Sequence, residues 1–165
     1  MKLRSFSDRD RIALVTVPGI LGAGFLIGQV SGSGYGNPWF DRLAKPAAMP
    51  PGWVFGLTWS ILYAILGVVL ATLFAAESSR ARSLALALFL AQLALNFSWS
   101  PLFFAAHRVA PALLVLAAMM LLSLAATRVI GSISRAAARL MLPYLGWLIF
   151  ASYLNFEIWR MNPAG

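Results

Sequence analysis

Five long runs of apolar side chains, separated by short polar stretches, constrain this chain more than anything else in it. They cover residues 12–30, 53–76, 84–106, 111–130 and 140–161, and each approaches or exceeds the roughly 20 residues a helix needs to cross a hydrocarbon core. Hydrophobic residues make up 61% of the chain and charged residues 11%, against about 25% charge in an ordinary soluble domain. A soluble body of 165 residues has too little interior to bury that much apolar surface. The expected fold is therefore an all-α integral membrane protein, a bundle of five transmembrane helices forming a single domain over residues 1–165, with a long loop at 31–52 between the first two helices. The first run is longer than a signal-peptide core and no Ala-x-Ala site follows it, so a retained helix is expected. Absence of cysteine excludes a disulfide scaffold, a thiolate metal site and a cysteine nucleophile.

The formal net charge of +8 does not point to nucleic acid, because the basic residues lie between the apolar runs or close to their ends rather than on one face. Nine of them (Lys2, Arg4, Arg9, Arg11, Arg80, Arg82, Arg128, Arg135 and Arg139) fall on the N-terminal side of the membrane and four (Arg42, Lys45, Arg108 and Arg160) on the other. The expected location is a bacterial cell envelope, and if the membrane is the inner one the positive-inside rule puts the N-terminus in the cytoplasm and the long loop outside. An outer membrane would void that orientation, and inner and outer remain open.

Polar side chains inside spans are costly in lipid and therefore informative. The third span carries Gln92, Asn96, Trp99 and Ser100 on one helical face, either as interhelical glue or as ligand contacts. Pro101 removes a helix hydrogen bond and predicts a kink or the start of the helix end. On the second span Gly56, Trp59, Tyr63 and Gly67 share a face, and on the fifth Tyr144, Trp147, Ala151 and Asn155 do so. Trp53, Tyr144 and Trp159, near span ends, fit the interfacial aromatic belt. Trp59 and Trp147 lie deeper and are read two ways, as ordinary packing or as walls of a pocket for a flat apolar ligand. The fourth span, whose only polar residue before Thr127 and Arg128 near its end is Ser123, is expected to face lipid broadly. Small-residue pairs at Gly24 and Gly28 and at Ala87 and Ala91 suit either a dimer seam or packing within one chain. Glu157 is placed to pair with Arg160 and His107 stands alone in a turn, so no metal site, acid–base pair or phosphate loop is expected.

Four motifs in order then carry a resemblance. They are Trp39, Phe40, Leu43, Lys45 and Pro46 in the loop; Pro50, Pro51, Trp53, Phe55, Trp59, Leu62 and Tyr63 into the second span; Gln92, Leu93, Asn96, Trp99, Pro101, Phe103 and Phe104 in the third; and Pro143, Tyr144, Trp147, Leu154, Asn155 and Asn162 in the fifth. The chain resembles the TspO/MBR family, the tryptophan-rich sensory proteins of bacteria and the mitochondrial translocator protein or peripheral-type benzodiazepine receptor.

The resemblance implies a membrane receptor or carrier, usually a homodimer, that binds porphyrin, haem and other tetrapyrroles and drug-like ligands within the bundle, with a regulatory or transport role. It implies a pocket of Trp59, Tyr63, Asn96, Trp99, Trp147, Ala151 and Asn155 beneath a lid loop bearing Trp39, Lys45 and Pro46. Porphyrin would be a ligand, with no cofactor required, and membrane lipid a surrounding partner. The alternative function implied is light-dependent porphyrin breakdown through Trp59 and Trp147, the only catalytic candidates. Cholesterol binding ranks lower, since Tyr153 is too far from Arg160 for the family's sterol pattern and only the reversed pattern of Arg139, Tyr144 and Leu148 fits, and secondary transport ranks last, since the chain offers neither an internal repeat nor a midplane ionisable group. Ala47, Ala48 and Met49 stand where many relatives have aromatic residues, which predicts a weaker grip on porphyrin.

Overall fold

A computed structural model describes residues 7–163; Lys2 and Arg4 of the basic leader lie outside the described residues. All the regular elements of the described chain are helical, in the order α1 (Asp8–Val30), α2 (Pro38–Arg42), α3 (Gly52–Ala75), α4 (Arg80–Ser100, continued by a wide turn at Pro101–Ala105), α5 (Val109–Ile133) and α6 (Arg135–Met161). Five of these, all but α2, are long and apolar enough to cross a membrane.

The helices outrun the apolar runs that announce them, because a run marks the hydrocarbon slab while caps mark helix ends. α1 begins at Asp8 in what reads as a polar leader. Ser7 Oγ accepts from Asp10 N at 3.3 Å and the Asp10 carboxylate accepts from Ser7 N at 3.2 Å, a reciprocal cap that satisfies two orphan donors. Between the fourth and fifth apolar runs, over residues 131–139, Ser134 is the single non-helical residue. Its N–H donates to Ile130 O at 2.8 Å and its hydroxyl accepts from Ala137 N at 3.2 Å, so one residue ends α5 and starts α6. Arg128, Arg135 and Arg139 are helical rather than loop residues. Pro101 ends the regular part of α4, as its missing N–H predicts, and opens a wider last turn in which Ala106 N reaches Pro101 O at 2.9 Å. That five-residue spacing is a π-turn, a common device at functional sites.

α1 packs along α3, α4 on α5, and α5 and α3 on α6. The α1–α3 seam is tight: Thr16 Oγ1 donates to Gly67 O at 2.8 Å, and a Cβ on Gly67 would lie 2.6 Å from Val17 Cα. The main core gathers Leu66, Val69 and Leu73 of α3, Phe89 of α4, Leu116 and Met119 of α5, and Met141 and Leu148 of α6. α5 is not the broadly lipid-facing helix its composition suggests. Ala112, Leu116, Met119, Ser123, Ala126 and Ile130 make a buried stripe along it. One third of its apolar window, 33%, is inside the bundle, while α1 has only 17%. The small side chains Ala112, Ser123 and Ala126 allow α5 to lie close between α4 and α6.

Candidate functional site

The loop between α1 and α3 is folded, not slack. Gly32, Gly34 and Gly36 take φ of 60°, 98° and 93°, backbone conformations that side-chain-bearing residues rarely adopt. They turn the chain back over the bundle into α2. Asn37 Oδ1 caps that short helix, accepting from Trp39 N at 3.0 Å and Phe40 N at 3.2 Å. Phe40 is 3% exposed and plugs a second, smaller core with Phe103, Phe104, Val109, Ala112 and Ile158. At the loop's far side Asn162 accepts from Ala44 N and donates to Ala44 O, both at 3.0 Å, pinning the loop to the end of α6.

Beneath this loop lies a cavity of about 1170 Å³, walled by α1, α3, α4, α5 and α6. That exceeds the roughly 300–1,000 Å³ of ordinary small-molecule sites. Trp59, Tyr63, Asn96, Trp99, Trp147, Ala151 and Asn155 all line it, so seven residues read from three separate spans come together in one place. Trp59 and Trp147 meet edge to face with ring centroids 6.4 Å apart, and Phe55 meets Trp147 likewise at 5.8 Å. Trp99 stacks on Phe103 at 5.1 Å, and the π-turn brings both Phe103 and Phe104 to the wall. Among the described residues none that lines the cavity carries a charge.

Several of these polar groups are already engaged. Trp99 Nε1 donates to Asn155 Oδ1 at 3.2 Å, and Asn155 Nδ2 donates to Val109 O at 2.9 Å. Tyr63 Oη donates to Asn96 Oδ1 at 2.9 Å, and Asn96 Nδ2 to Tyr144 Oη at 3.1 Å. Trp147 Nε1 is buried with no protein partner among the described residues.

The loop residues fall elsewhere. Trp39 stacks on His107 at 4.3 Å and meets Phe103 edge-on at 5.5 Å; it borders a shallow outer groove with Arg42 and Leu43 rather than the main cavity. Lys45 Nζ donates to Phe40 O, Asp41 O and Leu43 O at 2.6, 3.1 and 3.1 Å, which caps the end of α2, and its Nζ lies 4.6 Å from the Phe40 ring centroid. Pro46 is buried and does not reach the cavity. Ser33, Tyr35, Asn37, Pro38, Phe40 and Met49 are the side-chain-bearing loop residues that do. Met49 thus faces the cavity, while Ala47 and Ala48 are exposed and away from it.

Tyr144 is not interfacial: it is 0% exposed in the core, because α6 starts at Arg135 and places it well inside the helix. Its shared face with Trp147, Ala151 and Asn155 was the signal that could have placed it. Gly24 is also spoken for within the chain. A Cβ there would lie 2.1 Å from Tyr63 Cε2, so this glycine makes room for the Tyr63 ring, whereas Gly28 has nothing within 4 Å and borders the cavity.

Five membrane-crossing helices around an uncharged, tryptophan-walled cavity, closed at one end by a folded loop, define a small helical-bundle membrane protein built around an internal cavity. The TspO/MBR family matches residues 14–160, and the chain belongs to that family. It is 36% identical to the human translocator protein over 84% of this chain and 83% of that protein. It is 40% identical to the tryptophan-rich sensory protein of Cereibacter sphaeroides over 76% and 78%, and 36% identical to protein CrtK of Rhodobacter capsulatus over 76% and 79%.

Proposed function

We propose that this protein is a membrane receptor or carrier that holds a tetrapyrrole, or a similarly flat drug-like molecule, in the cavity beneath the loop. The observation that carries this reading is the cavity itself: about 1170 Å³, lined by Trp59, Trp99, Trp147, Phe55, Phe103 and Phe104 and free of charged side chains among the described residues. Aromatic faces at right angles give a planar ring system edge and face contacts worth about 0.5–1.5 kcal/mol each beyond simple burial. Relatives named translocator and sensory proteins support a role in moving or reporting the ligand. A homodimer in the membrane accompanies this reading.

An uncharged wall sets the orientation of a porphyrin. Its ring enters and its propionates stay at the mouth, because an unpaired carboxylate is expensive to bury. In detergent-purified protein, tryptophan fluorescence should quench saturably with protoporphyrin IX, and Trp59→Phe with Trp147→Phe should weaken binding about tenfold. A double mutant that titrates like the parent refutes the assignment.

A second reading, light-dependent breakdown of the bound porphyrin, is favoured by the 6.4 Å separation of the Trp59 and Trp147 rings. Illuminated porphyrin should then disappear faster with this protein than with a membrane protein of equal tryptophan content, and equal rates leave binding alone.

A further inference from the structure

Behind the cavity wall a chain of neutral hydrogen bonds runs into the core and ends badly. Tyr63 Oη donates to Asn96 Oδ1 at 2.9 Å, Asn96 Nδ2 to Tyr144 Oη at 3.1 Å, and Tyr144 Oη to Gln92 Oε1 at 2.7 Å, which also accepts from Ser123 Oγ at 3.3 Å. Drawn in this direction, Gln92 Nε2 has no hydrogen-bond partner among the described residues, and the side chain is 0% exposed. Both its N–H groups are wasted in the core between α4, α5 and α6.

Turning over the two amides exchanges oxygen for nitrogen without moving a heavy atom. Gln92 Nε2 then donates to Tyr144 Oη and Ser123 Oγ, Tyr144 donates to the Asn96 amide oxygen, and the Asn96 amide nitrogen donates to Tyr63 Oη. The Gln92 carbonyl oxygen is then left unpaired in place of two N–H groups, while the Ser123 hydroxyl proton is free to turn to a carbonyl of the preceding helical turn, as those of Thr127 and Ser152 do, and an under-satisfied carbonyl is the commoner and milder defect. The displaced proton emerges at the other end, on Tyr63 Oη at the cavity wall, where only an occupant can take it.

We infer that Gln92 and Tyr144, neither of which lines the cavity, are positioning residues that make Tyr63 present a hydroxyl proton rather than a lone pair. The site therefore selects flat apolar ligands that carry a hydrogen-bond acceptor over those of the same shape that carry a donor. This rests on the cavity being the ligand site, and it adds the polarity of the ligand that the cavity takes.

Three probes of one shape separate the terms: fluorene offers neither group, carbazole an N–H donor, and 9-fluorenone a carbonyl acceptor. Binding to the full chain in nanodiscs is measured by equilibrium dialysis, corrected for partition into empty nanodiscs. Fluorenone should bind about two- to tenfold tighter than carbazole, the worth of one net hydrogen bond. Tyr63→Phe should reduce fluorenone to the level of fluorene. Tyr144→Phe, which cuts Gln92 off from the cavity, should bring the fluorenone-to-carbazole ratio close to one while leaving fluorene affinity unchanged, a split that general destabilisation would not give. Carbazole binding as tightly as fluorenone to the wild type, or an unchanged ratio in Tyr144→Phe, overturns the inference and leaves the cavity standing. If none of the three binds beyond empty nanodiscs, the cavity reading falls and the inference with it.

Discussion

Gly67→Ala tests whether the α1–α3 seam is as close as its geometry demands. A methyl group there would sit 2.6 Å from Val17 Cα, 2.9 Å from Val17 N and 2.8 Å from Val17 Cγ2. Carbon atoms rest about 3.5–4.0 Å apart, and two of the three neighbours are backbone, which cannot rotate away. α1 must withdraw by about 1 Å. That stretches the 2.8 Å bond from Thr16 Oγ1 to Gly67 O to about 3.7 Å, past the usual hydrogen-bond range. Overpacking costs about 1–3 kcal/mol and the lost interhelical bond about 0.6 kcal/mol.

The control is Gly146→Ala on α6, where nothing lies within 4 Å of the added methyl. Both substitutions gain the same helix propensity, about 1 kcal/mol, so it cancels between them. Gly67→Ala should be less stable than Gly146→Ala by about 1.5–3.5 kcal/mol, read from denaturant midpoints of helicity in mixed micelles. Coincident midpoints for the two variants would refute the seam and the crowding argument behind it.

Gly24→Ala should drive the Tyr63 ring from the cavity wall, since its Cβ would overlap Cε2 at 2.1 Å; protoporphyrin affinity should fall about tenfold, about 1.4 kcal/mol, in a quenching titration where Gly28→Ala changes little. Asn162→Ala removes both bonds to Ala44, and hydrogen exchange over residues 39–49 should accelerate about tenfold, consistent with about 1–2 kcal/mol of local opening. Unchanged exchange there would show that the loop is held by Phe40 alone. Protoporphyrin dimethyl ester should compete at least as well as the free acid, because no charged side chain among the described residues lines the cavity; a free acid more than about tenfold tighter would reveal a buried cationic partner.

Much of the architecture was legible because lipid makes it so. A hydrocarbon slab demands long apolar helices and penalises every polar side chain within them, so the five runs and the Asn96, Trp99 and Asn155 signals are one physical statement. Helix ends were less legible: Ser7, Asp10 and Ser134 set them through caps, outside the apolar signal. Tyr144 looked interfacial because the start of α6 was placed at the start of its apolar run.

The sequence by itself determined that the chain crosses a membrane five times, that it resembles one family, and that tryptophans and amides share helical faces. Periodicity and composition are local quantities, and lipid reads them locally. Only the tertiary structure decided that three such faces enclose one uncharged cavity and that Gly24 serves Tyr63. It also decided that Lys45 caps α2 and that Trp39 turns outward onto His107. Those outcomes depend on distances between residues far apart in the chain, fixed by which side chain is small enough to let another in.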